Sequence, residues 1–265
     1  GGPARARNVG IQDSRGEIIF FGECDCVYDS DYLEKAVQAL EKDPAAGAVC
    51  LTGAPLVLKN TLGTACLEVE NKVQHRLLRE GKIRPFYAWV YTRDALEKVG
   101  GFDQKLFQAE DKDLFQRVTK AGYHIAWVPG INWRHKREET MQKLAMEWFI
   151  RGRTRILYVL KHGQTLDLMK SLAPLWLFII GFAVISTLST LIGLALVIIS
   201  LGIPALYSFR VIRASWPEVP KKGIYLWYPM FVLIRNFDLA FGYSYGLFRI
   251  FVRKIQRKPV SWQTI

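Results

Sequence analysis

Cysteine is scarce in this 265-residue chain, with four residues, Cys24, Cys26, Cys50 and Cys66. Their spacing holds no pair of Cys-x-x-Cys motifs, which argues against a structural zinc site or a disulfide scaffold. They read as reduced thiols of a cytosolic domain. Internal repeats and low-complexity linkers are absent, which excludes solenoid and disordered classes. The start of the chain carries no secretory-signal pattern. Acidic residues become rare toward the end: residues 171–265 hold 2 acidic and 10 basic residues, against 22 and 26 in residues 1–170. The formal net charge of +12 is therefore concentrated in an apolar C-terminal part. Without a basic stripe interleaved with aromatics in the first part, the excess points to a membrane surface and not to nucleic acid.

Charge is missing altogether from Ser171 to Phe209, a run of 39 residues. One helix of that length would measure about 58 Å, near twice the hydrocarbon core of a bilayer. Two helices with a turn near Ser186 to Thr190 fit better. Arg151, Arg153, Arg155, Lys161 and Lys170 precede the run, and Arg210, Arg213, Lys221 and Lys222 follow it. A hairpin returning to its starting side with both flanks in the cytoplasm satisfies the positive-inside rule. A third apolar stretch, Ile224 to Val252, carries Arg235 and Asp238 three residues apart and ends in a basic tail. It is expected to be an interfacial or third membrane helix. Met146 to His162 alternates bulky apolar residues with arginines, as an amphipathic juxtamembrane helix does.

The preceding part alternates strand and helix signals. Ile18 to Phe21, Ala48 to Leu58, Phe86 to Tyr91 and Tyr123 to Val128 read as strands. Helices are predicted from the Asp29-Ser-Asp31 cap through about Lys42, with Leu33, Ala36, Val37 and Leu40 on one face, from Thr61 to Arg79, and from Ala109 to Ala121. This alternation predicts an α/β sheet. Two acidic clusters fall at element ends. Glu23-Cys24-Asp25 follows the first strand, where ligands of open α/β sheets bind, and two carboxylates at i and i+2 suit a hard divalent cation. A solvated acidic turn is the plainer alternative. Glu110, Asp111 and Asp113 open a helix, where acids are also favoured by the helix dipole. His135 is a lone histidine in Trp133-Arg134-His135.

Taken together, the order of these pieces resembles the family 2 glycosyltransferases. Pro3-Ala-Arg-Ala-Arg-Asn8 resembles the family's Ala-Arg-Asn helix, and Gly16-Glu17 its entry to the metal strand. Glu23-Cys24-Asp25 stands where the family has Asp-x-Asp. Gly100-Gly101-Phe102-Asp103 resembles its Gly-Gly-Phe-Asp turn, and Glu110-Asp111-x-Asp113-Leu114 with Arg117 and Gly122-Tyr123 its Glu-Asp helix. The resemblance covers roughly residues 1 to 136.

It implies a GT-A-like, Rossmann-like mixed sheet flanked by helices, followed by a helical membrane region. The implied layout is a glycosyltransferase domain over 1–137, juxtamembrane helices over 138–170, a transmembrane hairpin over 171–209, and a basic loop, third helix and tail over 210–265. It further implies an inverting, nucleotide-sugar-dependent transferase using Mg²⁺ or Mn²⁺. Asp111 would be the general base and Glu110 its catalytic helper. Arg7, Asn8, Glu23 and Asp25 would bind the donor, with Asp25, Glu23 and His135 at the metal. Asp113, Arg151, Arg153 and Arg155 would face the acceptor or an anionic lipid headgroup. The implied partners are a nucleotide-sugar, a lipid-linked or surface-glycan acceptor and membrane lipids, in the plasma membrane with the catalytic part in the cytoplasm.

Three departures qualify the resemblance. Glu23 replaces the usual first Asp. The Gln-x-x-Arg-Trp motif of processive synthases is absent, so single-sugar transfer is expected. No strand–helix–strand unit precedes Gly1, so a chain short of one such unit is expected. An inactive membrane scaffold related to the family is the alternative reading, and a transporter component is disfavoured by the few intramembrane charges.

Overall fold

A computed structural model describes residues 2–57, 61–80, 82–83, 88–137, 140–216 and 223–265, with the backbone alone at 51–57, 75, 79, 129–137 and 186. Leu58, Phe86, Lys221 and Lys222, named above, lie outside the described residues. The chain divides into two compact units. One comprises Gly1–Lys59 and Asn71–Glu138, the other Asn60–Glu70 and Glu139–Ile265.

The first unit is built on a mixed sheet of β1 (Ile18–Phe20), β2 (Cys26–Tyr28), β3 (Ala46–Val57), β4 (Val90–Thr92) and β5 (His124–Arg137). The strand order is β1-β4-β3-β5-β2. β3 and β5 run parallel, with β4 antiparallel to both β1 and β3 and β2 antiparallel to β5. Strand periodicity distributes the apolar residues. Ile19, Phe21, Ala48 and Tyr91 face one layer, with α1 (Pro3–Asp13), α4 (Arg93–Val99) and α5 (Glu110–Lys120) packed there through Ile11, Leu96, Leu114 and Val118. Their neighbours Ile18, Phe20, Val49 and Val90 face the opposite layer, covered by Tyr32, Ala36 and Leu40 of α2 (Tyr32–Lys42). Alternate residues of a strand project to opposite faces, so each short apolar run serves two cores.

The expected α/β fold class with a mixed sheet and following helices is present. Some details differ. Leu33 is exposed, and Tyr32 heads the buried stripe of α2 instead. The 4-residue spacing of Tyr32, Ala36 and Leu40 makes an equally good helical face, and Tyr32 gains ring contacts with Phe20 and Tyr28. β2 and α4 were not anticipated, because three to seven residues show no periodicity. α3 (Leu62–Arg79) forms as predicted.

In the second unit, α6 (Met141–Lys161), α7 (Thr165–Thr187), α8 (Thr190–Ser215) and α9 (Ile224–Ile255) follow in turn. The α7–α8 turn falls at Leu188–Ser189, inside the Ser186–Thr190 segment expected for it. The Ser189 side chain accepts a hydrogen bond from the Ile192 amide and so caps α8. α7 over Thr165–Ile185 and α8 over Thr190–Ser215 are long and apolar enough to cross a membrane, and only 22% and 17% of their apolar windows are buried. The helices meet at glycines. A Cβ on Gly193 would stand 2.6 Å from the Gly181 carbonyl oxygen. A Cβ on Gly152 of α6 would strike the Leu239 carbonyl oxygen of α9, and one on Gly242 the Phe149 carbonyl oxygen. Small residues permit such backbone approach between helices. Gly152→Val is therefore expected to lower stability by about 1–3 kcal/mol or more through overpacking, read as a drop in unfolding temperature in detergent. An unchanged transition would contradict this packing.

Arg235 does not pair with Asp238. It forms an ion pair with Glu70 of α3, which also accepts a 2.8 Å hydrogen bond from the Tyr228 hydroxyl. Residues three apart on one helix share a face, but here a carboxylate distant in sequence presents a better partner than Asp238 does.

Candidate active site

The site grows from the carboxyl end of β1 in the first unit. Phe21 donates its amide to the Trp89 carbonyl, extending the sheet by one residue. The chain then leaves through Gly22 into the turn Glu23–Asp25. The Glu23 amide donates to the Tyr28 hydroxyl at 2.9 Å, and the Cys26 amide to the Glu23 carbonyl at 3.1 Å. These bonds bring one ligand atom each from Glu23, Asp25 and Cys26 within 4.8 Å of one another. Burial pushes the Cys26 thiol up to about 12, with the Glu23 and Asp25 charges adding to it and the Tyr28 hydroxyl opposing. Two carboxylate oxygens beside a sulfur form a donor set that fits a divalent cation.

Arg7 joins this turn to α5. Its guanidinium bonds Glu110 Oε1 at 2.6 Å and Glu23 Oε1 at 3.4 Å. It lies over the rings of Trp89 and Phe102, at 5.3 and 5.4 Å from their centroids. Glu110 is only 8% exposed. Burial raises its carboxyl above the usual glutamate range, Asp111 adds to the rise, and Arg7 opposes it. Asp111 follows in the first turn of α5, its carboxylate accepting from the Lys112 amide at 2.8 Å. The helix begins from Ala109, whose φ of 62° is left-handed. A residue with a Cβ pays about 1–2 kcal/mol for that conformation, and such strain collects at functional sites.

The structure separates the predicted residues into groups. Arg7, Glu23, Asp25, Glu110 and Asp111 come together. Asn8 is engaged differently: its Nδ2 donates to the Phe102 carbonyl, and its Oδ1 accepts from the Phe102 amide, both at 2.8 Å. It clamps the Gly-Gly-Phe-Asp turn, where Gly100 and Gly101 have φ of 74° and 67°. Asp113 does not face an acceptor or a headgroup. It is 0% exposed and receives Arg117 Nε at 2.8 Å. The remaining guanidinium nitrogens of Arg117 donate to the Val99 and Gly101 carbonyls at 2.7 and 2.6 Å. The reason is helical spacing: Asp113 shares the buried face of α5 with Glu110, Leu114 and Val118, while Asp111 lies off that face and is half-buried. His135 stands opposite Cys26 in the β2–β5 register, and its side chain lies outside the description. Arg151, Arg153 and Arg155 belong to α6 in the second unit, where Arg151 pairs with Glu147.

Sequence reading missed Cys26, Tyr28 and Trp89. Cys26 was within sight, since it directly follows the Glu-x-Asp turn. Nothing in the sequence signals Trp89, which approaches Arg7 only through the fold.

Residues 1–100 match the family model described as Glycosyl transferase family 2. The chain is 30% identical over 151 residues to "Probable glycosyltransferase YdaM" of Bacillus subtilis, covering 52% of this chain and 34% of that protein. It is 26% identical over 131 residues to "Glycosyltransferase AglE" of Haloferax volcanii, covering 48% of this chain and 42% of that one. The matched stretch thus spans less than half the length of either relative. Among solved structures, that of S. aureus TarS has a TM-score of 0.37 and 13% identity, covering 93% of this chain and 72% of the other. The family match runs over the turn at Glu23–Asp25 and the helix that supplies Arg7, so residues 1–100 of this chain are similar to the family 2 glycosyltransferases.

Proposed function

We propose that the chain transfers a single sugar, with inversion, from a nucleotide-sugar to a lipid-linked or surface-glycan acceptor at the cytoplasmic face of the plasma membrane. The observation that carries this reading is Arg7, which links the Glu23–Asp25 turn to the Glu110–Asp111 start of α5. The carboxylates for holding a donor and for deprotonating an acceptor are thereby fixed to one another.

Glu23 and Asp25, with His135 on the adjoining strand, would hold a divalent cation, Mg²⁺ or Mn²⁺, that supplies Lewis-acid stabilisation of the departing diphosphate. Asp111 accepts the proton of the acceptor hydroxyl as its oxygen bonds to the anomeric carbon and the bond to the diphosphate breaks. Glu110 and Arg7 position Asp111 by anchoring the first turn of α5. Asn8 shapes the donor side of the pocket through the Phe102 turn that it clamps.

Two apolar helices with basic flanks support the membrane setting. The cationic residues Arg151, Arg153 and Arg155 on amphipathic α6 suit an anionic headgroup. A direct test is calorimetry of nucleotide-sugar binding with and without Mg²⁺ or Mn²⁺. Binding is expected to depend on the cation and to fall about 10–100-fold or more in Asp25→Asn, since even outer partners of metal ligands carry that much. Binding that ignores both the cation and the substitution would overturn the reading.

A further inference from the structure

The sulfur beside the two carboxylates has no part in the reading above. We infer that Cys26 is a ligand of the cation at the Glu23–Asp25 turn and shifts its preference from Mg²⁺ toward later divalent ions such as Mn²⁺, Co²⁺ and Zn²⁺. The inference rests on the proposed cation site and adds to it the ligand that sets which ion is held.

The geometry is specific. Cys26 Sγ lies 3.7 Å from Glu23 Oε2 and 3.9 Å from Asp25 Oδ1, so it approaches both carboxylates at once. Metal–oxygen and metal–sulfur bonds of about 2.1 and 2.3 Å at a tetrahedral angle place oxygen and sulfur about 3.6 Å apart. Both sulfur–oxygen distances lie within a few tenths of an ångström of that value. The sulfur is not on a loose arm: Cys26 begins β2, and its backbone is tied to Glu23 and paired with β5. Its register partner is His135, which the family resemblance places at the metal. Cys24, one residue before Asp25, is exposed and outside the cluster, which makes it an internal control.

The donor chemistry decides the ion. Oxygen ligands alone suit Mg²⁺, whereas a thiolate favours ions further along the first transition row. On binding, the S–H bond of Cys26 breaks, a sulfur–metal bond forms, and one proton passes to solvent.

The test uses the full chain in detergent. Co²⁺ and Cd²⁺ are titrated while thiolate-to-metal charge-transfer absorption and proton release are followed, and Mn²⁺ binding is read by electron paramagnetic resonance. The wild type and Cys24→Ser are expected to show the band and the proton. Cys26→Ser is expected to lose both, with Cd²⁺ affinity falling about tenfold or more and Mg²⁺ affinity unchanged. Cys26→Asp, a second variant in case the first folds poorly, is expected to raise Mg²⁺ affinity relative to Cd²⁺. If Mn²⁺ binds and Asp25→Asn abolishes it, yet the band is absent or survives Cys26→Ser, the inference falls and the carboxylate site stands. If no cation binds to any form, both fall.

Discussion

Asp111→Asn is expected to lower sugar transfer by about 10²–10⁴-fold, the usual contribution of a positioned general base. Nucleotide-sugar binding should survive it. Asparagine preserves the shape of the side chain and leaves the Glu110–Arg7 pair untouched, so the first turn of α5 keeps its anchor. What the proposed mechanism loses is the basic oxygen assigned to take the acceptor proton. The loss should therefore appear in kcat and kcat/KM together, with the KM for donor little changed. Arg7→Ala provides the contrast. It removes the link between the two carboxylate groups and leaves Glu110 buried without its cation, so binding and turnover should fall together. Normal turnover by Asp111→Asn would remove Asp111 as the base.

The largest stability effect is expected at Arg117, a residue with no direct part in the chemistry. Its guanidinium holds the fully buried Asp113 and two turn carbonyls, those of Val99 and Gly101. Arg117→Met takes the ion-pair partner away from a buried carboxylate, at a cost of about 3–5 kcal/mol. Against a total domain stability of about 5–15 kcal/mol, that unfolds much of the population or comes close to it. The turn at Gly100–Gly101 would loosen with it, and with the turn the Phe102 ring over Arg7. The double variant Asp113→Leu/Arg117→Met should recover much of the loss, because an apolar pair can replace a buried ion pair without a net penalty. Equal unfolding transitions for wild type and Arg117→Met would show that the pair carries no structural weight.

The contrast between Asp111 and Asp113 shows what the sequence reveals and what it hides. Both carboxylates sit in one short acidic run, and both were expected at the site. Only packing separates them: Asp111 is half-buried in the first turn, and two residues further along the helix Asp113 is fully buried. The Glu-x-Asp turn was legible because it follows an apolar strand, the place where α/β sheets bind ligands. Its neighbour Cys26 was in view next to the turn, but the proximity of its sulfur to both carboxylates was not, because that depends on how Tyr28 and β5 fold the turn. The hairpin was the plainest feature, since 39 uncharged residues and a polar turn leave few alternatives. The Glu70–Arg235 pair was the least legible, because 165 residues separate its partners. Long-range pairing of charges carries no local pattern, whereas strands and helices do.

The most direct test of sugar transfer is made on the chain reconstituted in lipid. A panel of labelled nucleotide-sugars is supplied with Mg²⁺ or Mn²⁺, and label is followed into the lipid extract and the glycan fraction, with Asp111→Asn alongside. Cation-dependent labelling from one donor, absent in the variant, is the result expected of a membrane-bound transferase. Label in no fraction from any donor, with no nucleotide-sugar binding by calorimetry, would contradict it and favour an inactive scaffold.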